Sequence, residues 1–368
     1  MKKHKVAQKL ILLSFVVVIC LSWAFGFIFR PFLDTANHEN RKMAEIPTFK
    51  LSEYEKYPEE FTNWLNDNMP FRNALISLNS YIDYSLFKYS TNPTVKIGKG
   101  NWLFYSNVSD GDSIGTVQGK NLLSEEELKK IADNCIKQRD FIESQGKEFV
   151  IFIGPNKEGI YSEYLPDYYG EPAKFFKTKQ IVDYLKENTD LRVVFPYDEL
   201  KEAKKQIKEN LYYITDTHWN YLGGYISASA LLKELGIDMP AIKDLTISKD
   251  GNYAGDLAAM LNLSNQLLSK DFEYSLSGYD QHKVKQKENS FFEVFSYSAE
   301  NADNRSIYIL RDSYTTSMAP YIGSQFRESY MRHGSSYTYE DLEKQDPDIV
   351  VYETVERAVD LLGTFSFH

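Results

Sequence analysis

Ser306-Ile307-Tyr308-Ile309-Leu310-Arg311-Asp312-Ser313-Tyr314 runs from an apolar tetrad straight into a charged and hydroxylic turn. Short apolar runs rich in β-branched and aromatic side chains suit strands buried on both faces. Glu148-Phe149-Val150-Ile151-Phe152-Ile153, Arg192-Val193-Val194-Phe195 and Asp348-Ile349-Val350-Val351-Tyr352 repeat the pattern. Helical stretches separate them. Ser124 and Glu127 form a capping box that opens a helix ending near Gln145, before Gly146. Further helices are expected near 179–187, 197–209 and 221–235, shortly after Ser313, and near 355–362. Strands alternating with helices predict an α/β domain with a doubly wound parallel sheet over residues 106–368. Residues 240–304 break the rhythm and read as an insertion.

Ahead of this domain, residues 51–105 read as a helical lead-in segment. Tyr54, Tyr57, Phe61, Trp64 and Leu65 recur at helical spacing, and a second helix follows Pro70 over 71–89. Gly98 to Asn101 make a turn before the short strand Trp102–Tyr105. Residues 30–50, with Pro31 and Pro47, read as a linker. Leu10 to Phe29 is an uncharged run of 20 residues, roughly 30 Å as a helix and so the thickness of a bilayer core. Lys2, Lys3, Lys5 and Lys9 lie in the tail 1–9 and hold it in the cytoplasm. The expectation is a single-pass signal anchor in the cell membrane at 10–29, with everything after Arg30 outside. A cleaved signal peptide is the competing reading.

The 368 residues carry a net charge of −10. Residues 1–30 hold five positive charges and no acid, which leaves −15 on the exterior part. That excess argues against nucleic acid, which needs clustered Lys and Arg. Two cysteines, Cys20 and Cys135, exclude a disulfide framework and a four-thiolate zinc site. No metal or other cofactor is expected.

In a doubly wound sheet the chemistry sits at the carboxyl ends of the strands. Six histidines are present, and only His218 and His333 fall near such ends. His218 lies in Thr215-Asp216-Thr217-His218-Trp219-Asn220. A carboxylate two residues before an imidazole can curl back onto Nδ1 and leave Nε2 free as a base. Asp, Thr and Asn also serve as helix caps, so capping is the competing reading. Ser313, at the end of an apolar strand, is the expected nucleophile, since a following helix would present N–H groups to an oxyanion. Gly111-Asp112-Ser113 offers a second serine, but a polar loop precedes it, so Ser113 ranks behind Ser313. Arg332 and His333 end another expected strand at the same edge. Arg332 is a pocket candidate, with a solvated strand end as the alternative.

The Thr-Asp-Thr-His-Trp and Arg-Asp-Ser-Tyr pair resembles the SGNH-hydrolase-like domain of the alginate O-acetyltransferases AlgJ and AlgX and their Gram-positive DHHW-type relatives. Glu39-Asn40-Arg41 with Pro47, Trp64-Leu65-Asn66-Asp67 with Phe71-Arg72, Gly98-Lys99-Gly100-Asn101-Trp102-Leu103-Phe104, Pro155-Asn156-Lys157 with Tyr161, and Gly255-Asp256-Leu257-Ala258 match further blocks in order. The resemblance covers about residues 36–352. It implies a circularly permuted SGNH fold with Ser313 as nucleophile, His218 as general base and Asp216 as its orienter. The family's Gly and Asn oxyanion blocks are not matched here, and Asn156 and the Ser313 backbone N–H are the candidate oxyanion donors. Lys157, Trp219 and Tyr314 are candidates to line the pocket, with surface charge for Lys157 and core packing for Trp219 and Tyr314 as the competing readings. Arg311 stands where many relatives have Gly and is expected to narrow or charge it.

The activity so implied is transfer of an acetyl group to hydroxyls of an exported or cell-wall polysaccharide, with a multipass membrane-bound O-acyltransferase supplying the acyl group. The same triad would serve a deacetylase or esterase. A non-catalytic glycan-binding scaffold of an export complex is the third reading.

Overall fold

The computed structural model describes residues 2–29 and 42–368. Its contacts divide the chain into two units, Met1–Thr91 with Ala259–Ser264, and Asn92–Ala258 with Asn265–His368. Helices α1 (Lys2–Phe29), α2 (Tyr57–Asp67) and α3 (Arg72–Ile82) belong to the first unit. On α2 the rings of Tyr57, Phe61 and Trp64 pack in sequence, the first pair stacked and the second tilted, as their spacing predicts. Helix α3 continues as a π-turn, Asp83–Phe87, within the expected 71–89.

Helix α1 occupies the stretch expected to span a membrane. Among the described residues, however, no helix is long and apolar enough to cross one. The side chains of Ile19, Ser22, Trp23 and Phe27, and those of residues 2–8, lie outside the described set. So do residues 30–41, which hold most of the expected linker and the Glu39-Asn40-Arg41 block.

The second unit runs β1 (Val95–Ile97), β2 (Leu103–Tyr105), α4 (Ser113–Val117), α5 (Glu125–Glu143), β3 (Glu148–Gly154), α6 (Lys157–Ile160), α7 (Lys177–Asn188), β4 (Val193–Val194), α8 (Tyr197–Gln206) and α9 (Tyr221–Glu234). Then come β5 (Thr246–Tyr253), α10 (Asp256–Met260), α11 (Ser264–Leu267), β6 (Asp271–Ser277), β7 (Lys285–Asn289), β8 (Val294–Ser298), β9 (Asp303–Arg311), α12 (Thr315–Gly323), β10 (Phe326–His333), α13 (Tyr339–Gln345) and β11 (Ile349–Val355), closed by the 3-10 stretch Glu356–Gly363, with residues 259–264, the end of α10 and the start of α11, counted in the first unit.

Seven strands form the main sheet in the order β4-β3-β11-β9-β10-β8-β7. The first five are parallel, and β8 and β7 extend the sheet antiparallel. Residues 285–298 are therefore sheet edge, although they fall within the expected insertion. Of that insertion, the strands β5 and β6 stand apart from the main sheet as a two-stranded one. The lead-in segment also divides. The β1–β2 hairpin belongs to the second unit, where Leu103 N–H donates to Ile214 O at 2.9 Å.

Strand alternation builds two cores, one on each face. Val150 and Phe152, Ile307 and Ile309, and Ile349 and Val351 point to one side, against α9 and α12. Phe149, Ile151 and Ile153, Tyr308 and Leu310, and Val350 and Tyr352 point to the other, against α5 and α7. A strand clad on both faces must be apolar at every position, which is why these runs show no polar alternation. Each such side chain contributes roughly 1.5–3 kcal/mol of burial. The capping box is formed: Ser124 N–H donates to Glu127 Oε2 at 2.8 Å, and Glu127 N–H to Ser124 Oγ at 3.3 Å.

Candidate active site

The carboxyl ends of β3, β11 and β9 lie side by side, and buried carboxyls stitch them together. Asn156 N–H, just past β3, donates to Glu356 Oε2 at 2.7 Å. Asp312 N–H, just past β9, donates to Glu353 Oε2 at 2.8 Å, and Val355 N–H of β11 donates to Asp312 Oδ2 at 2.7 Å. Asp312 Oδ1 also takes Tyr314 N–H at 2.8 Å. Asp312 thus does the local capping that Ser313 would otherwise do, and the Ser313 hydroxyl is left free to turn outward. Ser313 N–H donates to no described acceptor.

His218 is placed by the loop between Tyr212 and Trp219, which pair as an isolated antiparallel bridge across its neck. Asn220, not Asp216, caps α9, with its Oδ1 accepting from Leu222 N–H at 2.9 Å and Gly223 N–H at 3.3 Å. That frees Asp216. Its Oδ1 accepts from His218 Nδ1 at 2.6 Å and from His218 N–H at 2.9 Å. An ionised carboxylate can only accept, so Nδ1 carries the proton and Nε2 faces outward as acceptor. His218 Nε2 lies 2.7 Å from Ser313 Oγ. Serine, imidazole and carboxylate therefore form one continuous relay.

A second ring of groups supports Asp216. Its Oδ2 accepts from Tyr253 O–H and from Asp256 N–H, both at 2.8 Å. A Cβ at Gly255 would stand 2.3 Å from Asp216 Cβ, so only glycine permits this approach. Asp271 anchors the loop base through Ile214 N–H at 2.5 Å, Thr215 N–H at 2.7 Å and Thr215 Oγ1 at 2.5 Å. The second carboxylate at the relay is Asp256, whose Oδ2 lies 3.8 Å from His218 Nδ1.

The electrostatics follow from these contacts. Burial works to lower the His218 pKa, but the hydrogen bond and charge of Asp216, with Asp256 behind it, prevail and raise it above 6.5. Burial would raise the Asp216 pKa, yet its bonds to His218 hold it well below the ordinary carboxylate range. Burial, then Asp312, push Glu353 well above its ordinary value, and burial lifts Glu356 to about 7. Asp216, His218 and Asp256 offer donor atoms within 4.8 Å of one another. The four carboxylate oxygens of Asp216 and Asp256 already hold N–H or O–H donors, which a cation would have to displace.

The other expected pocket residues take several roles. Trp219 and Tyr314 are buried and lock the two halves of the relay together. Trp219 Nε1–H donates to Tyr314 O, and Tyr314 O–H donates to Thr217 O, each at 2.9 Å. Lys157 is fully buried, and its ammonium donates to Tyr213 O at 3.2 Å, Ile214 O at 3.4 Å and Asp216 O at 2.5 Å. It sets the His218 loop from beneath, and burial lowers its pKa. Arg311 is buried too. Its guanidinium stacks 4.2 Å from the Phe295 ring and donates to Phe291 O at 2.7 Å and Asp312 O at 3.1 Å. The expected pocket charge is thus spent on sheet-edge carbonyls. Arg332 pairs with Asp341 at 2.9 Å on the α13 side. Asn156 is buried, and its Nδ2 has no hydrogen-bond partner among the described residues. Ser113 is buried, and its Oγ donates to Tyr105 O at 2.9 Å.

A family model described as "SGNH hydrolase-like domain, acetyltransferase AlgX" matches residues 95–294, more than half of the chain. The chain belongs to this AlgX-type SGNH family. The matched stretch carries Asp216 and His218 and ends before Ser313. Within the curated proteins, the "Probable alginate O-acetylase AlgJ" of Pseudomonas putida is 27% identical over 188 residues. That alignment covers 50% of this chain and 45% of the relative, so the chain spans about half the length of that protein. Two solved structures share the fold. A DHHW family protein from Eubacterium siraeum is 16% identical, with 64% of this chain and 88% of that one covered and a TM-score of 0.50. Bacillus cereus PatB1 with a sulfonyl adduct is 14% identical, with 72% and 97% covered and a TM-score of 0.50. The SGNH-like α/β fold expected from the short motifs is thereby established.

Several neighbours of the relay carry no sequence signal of their own. Tyr253 and Asp271 contribute through long-range contacts. Asp256 sits in a quoted family block, and its contact with Thr217 could have been sought there. Arg357, two residues past β11, lies at the same edge with its guanidinium 5.6 Å from the Tyr314 ring.

Proposed function

We propose that the protein is a membrane-anchored, extracytoplasmic O-acetyltransferase that moves an acetyl group onto hydroxyls of an exported or cell-wall polysaccharide through an acyl-enzyme on Ser313. The observation that carries this is the relay Ser313 Oγ–His218–Asp216, with links of 2.7 and 2.6 Å, in a chain of the AlgX-type family. The acid and base precede the nucleophile in the chain, as a permuted SGNH order requires.

Ser313 Oγ attacks the acetyl carbonyl and its proton passes to His218 Nε2. The tetrahedral intermediate collapses, and His218 returns the proton to the departing oxygen. A sugar hydroxyl then gives its proton to Nε2 and attacks the acetyl-serine, which restores the free enzyme. Asp216 keeps the imidazole in the required tautomer throughout and offsets its charge when protonated.

The anchor rests on the uncharged run 10–29 and the lysines before it. An exterior catalytic unit tethered in this way suits an acyl supplier that is itself a multipass membrane-bound O-acyltransferase. The bilayer, that acyltransferase and the glycan are the proposed partners.

The test incubates the full chain in detergent with 4-nitrophenyl acetate, with and without oligosaccharide. Acetylated sugar and an acetyl adduct on Ser313 support transfer. Free acetate alone supports the esterase reading. In cells, an unchanged acetyl content of the polymer with Ser313→Ala would leave only the scaffold reading.

A further inference from the structure

Arg357 follows directly from the β11 end that is bonded to the nucleophile turn. Val355 N–H donates to Asp312 Oδ2 at 2.7 Å, which ties the end of β11 to the turn that carries Ser313. Its guanidinium stands 5.6 Å from the centroid of the Tyr314 ring, which also packs against the rings of Trp219 at 4.8 Å and His218 at 5.0 Å. The backbone of Arg357 is fixed from the opposite side. Gly111 packs so closely that a Cβ there would fall 1.7 Å from Arg357 O. The Gly111-Asp112-Ser113 segment that offers the second serine therefore packs against the backbone of this arginine.

The side chain of Arg357 is 19% exposed, yet it makes no hydrogen bond to any described residue. One loose ion pair, 3.8 Å to Asp110, is its closest charge contact. A largely covered guanidinium offers five N–H donors, and such groups are ordinarily filled. The nearby buried arginine, Arg311, spends its donors on backbone carbonyls. A guanidinium with no hydrogen bond to any described residue, beside the ring of the residue that follows Ser313, points to a transient anion. Two anions could answer: the oxyanion of the reacting acyl group, or a charged group on the acceptor glycan. The exterior part carries −15, and Asp216, Asp256 and Asp312 surround the relay. A polyanionic acceptor would meet this field unfavourably, whereas an oxyanion is created inside the site.

We infer that Arg357 is a further catalytic residue that pairs with the oxyanion of the tetrahedral intermediate. As Ser313 Oγ bonds to the acetyl carbon, the carbonyl π pair moves to oxygen and the serine proton moves to His218. The guanidinium stabilises that oxygen until the C=O re-forms and the leaving oxygen departs with the proton. This rests on the acyl-enzyme reading above. A Ser313→Ala control separates the two failures: if ester turnover survives it, the acyl-enzyme reading falls, and if only the Arg357 variants are silent, this inference alone falls.

The test measures acylation of the full chain by 4-nitrophenyl acetate, a neutral ester, alongside the affinity for methylboronic acid, whose serine adduct is a tetrahedral anion. Arg357→Gln is expected to lower acylation kcat/KM by about 10²–10³-fold, with an equal loss of boronate affinity and little change in Tm. Arg357→Lys keeps the charge but loses the planar fork, and both quantities should fall together by a few-fold. That variant decides the matter if the glutamine variant does not fold. Unchanged acylation in either folded variant overturns the inference. So does a rate loss without a matching boronate loss, or a loss confined to transfer onto sugar, which would assign Arg357 to the acceptor.

Discussion

His218 Nε2 and Ser313 Oγ are 95 residues apart in the chain and 2.7 Å apart in space. The link behind them, His218 Nδ1 to Asp216, fixes which nitrogen faces the hydroxyl. Asp216→Asn preserves the shape but can present its amide N–H to the ring and favour the wrong tautomer. Acylation by a neutral acetyl ester should fall by roughly 10³–10⁴-fold with little change in KM. Pre-steady-state release of nitrophenol reads this directly, and a loss under tenfold would rule out a relay.

Ser113 tests the nucleophile from the other side. Its hydroxyl is committed to Tyr105 O, so Ser113→Ala should leave acylation within about twofold of wild type while costing about 1 kcal/mol of stability. Chemical denaturation and ester turnover on the same preparation give both values. Abolished turnover in a folded Ser113→Ala protein would exchange the roles of the two serines.

The pH profile should carry the mark of the raised imidazole. The proposed acylation needs His218 neutral, and Asp216 and Asp256 outweigh burial to hold its pKa above 6.5. The acid limb of kcat/KM should therefore lie above pH 6.5, and removing the negative partner in Asp216→Asn should move it to lower pH. The stability linked to this group has the same sign. It is fully present below the unfolded pKa and is lost as pH rises through the folded one.

Glu353 offers a separate stability measurement. Burial and Asp312 raise its folded pKa well above 4.5, so the fold prefers the protonated acid. Its contribution is present below pH 4.5 and disappears as pH rises through the folded value. Glu353→Gln is neutral throughout and keeps an acceptor for Asp312 N–H. Unfolding curves from pH 4.5 to 8 should show a flatter decline, with the part up to about pH 7 that Glu356 contributes still in place. An unchanged pH slope would mean that Glu353 ionises freely.

Lys157→Met should act through the loop. Three carbonyls, those of Tyr213, Ile214 and Asp216, lose their donor. A destabilisation of about 3 kcal/mol is expected, with kcat reduced more than KM because Asp216 is displaced. A rise in KM alone, measured over a range of ester concentrations, would place Lys157 at the substrate instead.

Much of this architecture is written locally. Apolar runs at 148–153, 307–310 and 349–352 can only be satisfied by burial on both faces, so a parallel sheet between helices follows from them. The Asp-x-His turn and the strand-end serine are likewise legible, because two-residue spacing and strand-to-helix turns are properties of short segments. What the chain order does not contain is which long-range partner satisfies each polar group. That Asn220 and Asp312 take over the capping and so release Asp216 and Ser313, that Lys157 and Arg311 are buried donors to carbonyls, and that Arg357 lies beside Tyr314 with no hydrogen bond to any described residue are decided only when β3, β11 and β9 end side by side. Hydrogen bonds and charge interactions depend on distance across the fold, whereas periodicity depends only on neighbours along the chain.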